Sequence, residues 1–87
     1  PGHTPGHQSV LVNLPKTGHM LFTGDACYTG DHWCDKCLPG LVSSSSDAAA
    51  SVKKLRRVAK EHDAKVVWGH DPVSWLDWKK APMFYYD

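Results

Sequence analysis

The sequence predicts an α/β domain on three observations. Two short apolar runs, Gln8 to Leu14 and His19 to Thr23, flank a turn signal. A stretch with helical periodicity runs from Asp47 to Asp63, and a third apolar run, Ala64 to Trp68, follows it directly. Short runs rich in Val and Leu read as strands, and apolar residues at helical spacing read as one buried helix face. The expected order is hairpin, long loop, helix, strand.

Val10, Leu11, Val12 and Leu14 make the first run apolar. Leu14-Pro15-Lys16-Thr17-Gly18 then reads as a five-residue connection, because proline pre-sets one φ and glycine takes a positive one. The second strand leads into Leu21-Phe22-Thr23-Gly24-Asp25-Ala26-Cys27-Tyr28, where apolar residues meet a glycine and then an acid. Glycine lets the backbone turn, so this stretch either aims a carboxylate into a site or is ordinary Asp-Gly turn chemistry. Ala26 to Ser46 is long and irregular. A loop of that length is either functional or a plain surface excursion.

For the helix, Ser46 is the expected N-cap, and Asp47 places negative charge in the first turn. Ala48, Val52, Leu55 and Ala59 share one face. Lys53, Lys54, Arg56, Arg57 and Lys60 crowd the others and read as a solvated surface. No aromatic residue interleaves them for base stacking, so nucleic acid is not an expected partner. The third strand ends at Gly69-His70-Asp71-Pro72, repeating the design of an apolar run, a glycine and a polar residue. Trp75, Trp78, Phe84, Tyr85 and Tyr86 follow, more aromatic surface than a domain leaves exposed.

Composition narrows the class. With 87 residues the chain is one domain at most, and 41% apolar and 22% charged residues exclude disorder by composition. A net charge of +1 recruits neither nucleic acid nor anionic lipid, and no run approaches the length of a membrane span. Three cysteines do not make the disulfide framework of a small secreted domain, and the chain is expected in the cytoplasm. It opens on Pro1 without an initiator Met, so the lack of a visible signal peptide carries little weight.

His3, Asp25 and His70 stand out among the polar residues. Each lies in a Gly-containing loop next to a predicted strand. Imidazole and carboxylate are ligand types for zinc and similar divalent metals. Sequence alone leaves open whether the three converge or are separate surface residues. Cys34-Asp35-Lys36-Cys37 offers a second arrangement. With Cys27 and His32 it could form a non-catalytic zinc module, but incidental loop cysteines are the preferred reading because no second C-x-x-C or C-x-x-H is present.

The run Pro1-Gly2-His3-Thr4-Pro5-Gly6-His7-Gln8-Ser9, then Thr23-Gly24-Asp25-Ala26, then Gly69-His70-Asp71 resembles the second half of the metallo-β-lactamase superfamily. Within it, His7-Gln8-Ser9, Asp25-Ala26-Cys27-Tyr28 and Gly69-His70-Asp71 look like the N-acyl-homoserine lactone lactonases. The resemblance covers essentially the whole chain. It implies half of a four-layer αβ/βα sandwich, and an active site holding two Zn2+ ions when complete. It also implies that His3 binds the first metal, that Asp25 bridges both and that His70 binds the second. His7, the loop's second histidine, is assigned to local hydrogen bonding. Tyr28 matches the lactonases' tyrosine that points at the substrate carbonyl.

The chemistry implied is ring opening of an acyl lactone, a small-molecule substrate, by metal-activated hydroxide. A thioester or phosphodiester hydrolase of the same superfamily is the alternative. One departure is large: the superfamily's His-x-His-x-Asp-His box is absent from residues 1–87. The chain is therefore expected to be the C-terminal portion of a longer domain. Alone it is expected to be inactive, because too few ligands remain to hold a catalytic metal pair, and to melt without a sharp transition.

Overall fold

In the computed structural model, residues 1–34 and 40–83 are described. Six elements follow in chain order: β1 (Val10–Leu14), β2 (Gly18–Gly24), α1 (Gly30–Trp33), α2 (Ser45–His62), β3 (Lys65–Trp68) and α3 (Pro72–Trp75). The three strands form one sheet in the order β1-β2-β3. β1 and β2 are an antiparallel hairpin with Val10 opposite Phe22 and Leu14 opposite Gly18. Because Leu14 and Gly18 already pair, only Pro15, Lys16 and Thr17 lie between the strands, a shorter connection than the turn signal suggested.

β2 and β3 run parallel, with Met20 opposite Lys65 and Phe22 opposite Val67. A parallel pair needs a crossover, and α2 supplies it. This topology brings the C-terminal ends of β2 and β3 to the same sheet edge. Ligands in α/β sheets gather at that edge.

α2 packs on one face of the sheet. Ala48, Val52 and Ala59 are its buried residues, and Leu21 is the buried β2 residue on the same side of the sheet. Leu55, expected on the same face, is only half-buried. It borders a groove of about 370 Å³ shared with Leu11, Leu21 and Val58. Arg56 also departs from expectation: it is half-buried and its Nη1 donates to the Trp33 carbonyl (2.9 Å), tying the end of α1 to α2.

The N-cap of α2 is Ser44, not Ser46. Its Oγ accepts the Asp47 N–H at 3.2 Å. Ser43 to Ser46 offer four similar caps, and a tertiary contact chooses among them. The Gly2 carbonyl accepts the N–H groups of Ser43 (2.7 Å) and Ser44 (3.0 Å) and the Ser43 hydroxyl (3.0 Å), fixing where the helix begins. The stretch Ala26 to Ser46, read as irregular, contains α1, one short turn of helix.

The opposite face of the sheet is apolar and open. Val12, Leu14, Met20, Phe22 and Val67 line it, and Trp75 and Trp78 fold over part of it. The tail aromatics thus reach this domain in part: Trp75 remains 55% exposed. Phe84, Tyr85, Tyr86 and Cys37 lie outside the described residues. No helix among the described residues is long and apolar enough to cross a membrane.

Candidate metal centre

Asp25 follows directly on β2, and His70 follows β3 by two positions. Gly24, at φ +58°, turns the backbone out of the strand. Gly69 passes so close to Gly24 that a Cβ at 69 would stand 2.9 Å from the Gly24 carbonyl carbon. The approach continues beyond the strands: Gly69 N–H donates to the Cys27 carbonyl (3.1 Å) and His70 N–H to the Tyr28 carbonyl (2.9 Å). Underneath, the fully buried Thr23 hydroxyl donates to the Cys27 carbonyl at 2.9 Å. The two loop ends are therefore laced together by backbone bonds.

His3 arrives from the N-terminal loop, which is held down by the Gly2 carbonyl contacts and by Ser51 Oγ donating to the Pro1 carbonyl (2.7 Å). The three side chains singled out from sequence meet. His70 Nε2 lies 2.8 Å from Asp25 Oδ1, and His3 Nε2 lies 3.3 Å from Asp25 Oδ2. One carboxylate gives a separate oxygen to each imidazole. His7 does something else: its Nε2 accepts the Asp25 backbone N–H at 2.9 Å, which occupies that lone pair and braces the acid.

The electrostatics fit ionised Asp25. The hydrogen bond from His70 is the largest cause holding its carboxyl below the ordinary 3.8; partial burial opposes it, and the charges of His3, His70 and His7 add to the lowering. His3 Nδ1–H donates to the Leu41 carbonyl (2.8 Å), which turns Nε2 toward Asp25 Oδ2. A backbone carbonyl on the far ring nitrogen is the usual support of a metal-binding histidine.

Two imidazoles and a carboxylate are donor types that divalent metals accept, so the residues present fit such a group. Among the described residues no group of three or more His, Cys, Asp or Glu side chains is placed to hold a metal ion.

The Tyr28 ring packs on this group. Its centroid is 4.5 Å from that of His70 and 6.3 Å from that of His3. The His32 ring, on α1, lies 5.5 Å from that of Tyr28, and its Nδ1 accepts the Tyr28 N–H at 3.2 Å. The sequence reading used His32 only as a possible cysteine-module ligand and gave Asp71 no role. Asp71 accepts N–H bonds from Gly30 (3.2 Å), Val73 (3.0 Å) and Ser74 (3.3 Å). Partial desolvation would raise its carboxyl, but the N–H donors of Ser74, Gly30 and Val73 outweigh it and hold the group below 3.8. Asp71-Pro72 was the available signal, an N-cap acid followed by proline at the first helical position.

The cysteine module gains little from the structure. Cys27 is fully buried and its thiol donates to the Thr29 carbonyl (3.2 Å), whereas Cys34 is exposed.

The chain is 58% identical over 85 residues to N-acyl homoserine lactonase AttM of Rhizobium radiobacter, covering 98% of this chain and 32% of that protein. It is 41% identical over 71 residues to an N-acyl homoserine lactonase of Bacillus cereus, covering 82% and 28%. A solved structure of an N-acyl homoserine lactone hydrolase, with N-hexanoyl-L-homoserine bound at its catalytic metal centre, superimposes with a TM-score of 0.89 at 32% identity. That match covers 98% of this chain and 34% of the other. The chain therefore matches the fold of the part of that hydrolase it covers, and it spans about a third of the length of the relatives it matches. The superfamily's sequence profile matches residues 1–70, most of the chain's length, and the chain belongs to the metallo-β-lactamase superfamily.

Proposed function

We propose that this chain is the C-terminal portion of a metal-dependent hydrolase that opens the lactone ring of N-acyl-homoserine lactones. The observation that carries the reading is the Asp25 carboxylate, shared oxygen by oxygen between His3 and His70 with the Tyr28 ring against both. The named activity of the relatives supports the choice of substrate. Zinc is the proposed metal, because two imidazoles and a carboxylate are ligands it accepts. The remaining ligands would come from a preceding segment carrying the His-x-His-x-Asp-His box.

When bound, the metal pair supplies a water whose pKa is lowered toward about 7. The residues of this chain do the positioning. Asp25, its carboxyl held low by the hydrogen bond from His70 and braced through its own N–H by His7, would offer its carboxylate to the metal pair. His3 and His70 would offer their imidazoles on either side of it. Tyr28 presents a phenol beside both imidazoles, where it donates a hydrogen bond to the lactone carbonyl oxygen as negative charge builds there. A water oxygen bonds to the lactone carbonyl carbon, the ring C–O bond breaks, one water proton goes to the freed oxygen and the other is released, leaving the acyl-homoserine carboxylate.

In the complete metal-loaded protein, Tyr28→Phe should lower kcat for lactone opening by about 100-fold, the usual cost of one lost oxyanion donor, with KM little changed. Release of acid from N-hexanoyl-homoserine lactone measures it. An unchanged kcat would remove Tyr28 from the chemistry. Hydrolysis of thioesters or phosphodiesters with lactone left intact would move the substrate assignment to another branch of the superfamily.

A further inference from the structure

α1 lacks a capping side chain of its own, since its N-cap residue Thr29 makes no side-chain hydrogen bond. The first helical N–H, that of Gly30, goes instead to Asp71 Oδ2 on the opposite site loop (3.2 Å). The other oxygen of Asp71 accepts Val73 N–H and Ser74 N–H as the N-cap of α3. One carboxylate therefore begins two helical turns from segments far apart in sequence.

Tyr28 is gripped at both ends of its backbone. Its N–H donates to His32 Nδ1, and its carbonyl accepts His70 N–H. His32 stands on α1, which Asp71 caps, and His70 is the chain neighbour of Asp71. Both grips close through the same carboxylate. We propose that Asp71 is a positioning residue that locks the turn from Tyr28 to Trp33 against the β3–α3 loop, fixing the Tyr28 phenol relative to His70. The proposal rests on the lactonase reading only for what Tyr28 then does.

The experiment compares four variants of the complete protein: Asp71→Ala, Asp71→Asn, Gly30→Pro and Gly30→Ala. Gly30→Pro breaks the link from the other side. Proline suits the first helical position, and the extended Thr29 (φ −141°, ψ 171°) is compatible with a following proline. The substitution nevertheless removes the N–H and turns its ring toward Asp71, while leaving Asp71 to cap α3. Gly30→Ala is the control, since its Cβ would meet nothing closer than the Trp68 ring at 3.6 Å.

Amide hydrogen exchange and steady-state kinetics are read together. Asp71→Ala and Gly30→Pro should speed exchange at Tyr28 and His70 by tenfold or more and lower kcat by about 10- to 100-fold at nearly constant KM. Asp71→Asn, with one acceptor oxygen left, should fall between them and wild type. Gly30→Ala should behave as wild type. Faster exchange confined to Val73 and Ser74, with kcat unchanged, would reduce Asp71 to a helix cap and overturn the proposal. If Asp71→Ala fails to fold, Gly30→Pro carries the same comparison. Should the wild-type protein open no lactone, exchange at Tyr28 and His70 still decides the clamp, and only the substrate reading fails.

Discussion

Asp25→Ala is expected to strip the complete protein of its metal pair and of all lactone hydrolysis above background. In the proposed centre the acid would serve both ions, since Oδ1 lies beside His70 and Oδ2 beside His3, so its removal would take one ligand from each at once. It also leaves two imidazoles facing each other with no negative charge between them, which raises the electrostatic cost of placing two cations there. Loss of an outer supporting partner typically lowers metal affinity by about 10- to 100-fold, and loss of a shared inner ligand should exceed that. Asp25→Asn should come close to the same result, because it keeps the shape and one acceptor oxygen but not the charge. Metal analysis after dialysis, alongside lactone turnover, reads both. Retention of two ions per molecule in Asp25→Ala would mean that the His3–Asp25–His70 group is not the metal centre.

Much of this site was legible in the sequence, for an identifiable reason. Asp25 and His70 stand where apolar runs end at glycines, and residues at such places are presented by backbone geometry rather than by side-chain packing. Local sequence therefore carries the signal. The convergence itself was not legible. It depends on β2 and β3 pairing in parallel, a long-range fact that no property of Gly18–Gly24 or Lys65–Trp68 encodes alone. The start of α2 was missed for a similar reason, because the Gly2 carbonyl from the chain's far end selects Ser44 among four serines.

Arg56 looked like one more solvated cation because its helix face is otherwise charged. Its partner, the Trp33 carbonyl, lies on a helical turn that periodicity cannot detect in four residues. Asp71-Pro72 signals the cap of α3, but the bond from Asp71 to the Gly30 N–H of another loop leaves no pattern in the order of residues, and the bond from Tyr28 N–H to His32 lies in a turn too short for periodicity to mark. His7 was assigned to local bonding through the family resemblance, and the structure supplies the partner, the backbone N–H of the metal-site acid.

The closeness of the two strand ends gives the second large expectation: Gly69→Ala should damage stability and activity together. A Cβ at 69 would collide with the Gly24 carbonyl, oxygen and carbon, and both are backbone atoms at the end of a paired strand. No flexible side chain can yield. Gly24 is itself held at φ +58°, where few residues could follow a shift. Relief therefore requires β2 and β3 to part at the edge that carries Asp25 and His70. Forcing extra volume into a packed place costs about 1–3 kcal/mol, and a displacement near 1 Å at a catalytic group can cost about 100-fold in rate. A urea midpoint below wild type together with a kcat loss of about two orders of magnitude is the expected pair of results in the complete protein. Gly6→Ala is the matched control, because nothing lies within 4 Å of its added carbon. Were Gly69→Ala to keep wild-type turnover, the spacing of the two strand ends would not govern the site, and His70 would have to reach Asp25 by side-chain freedom instead.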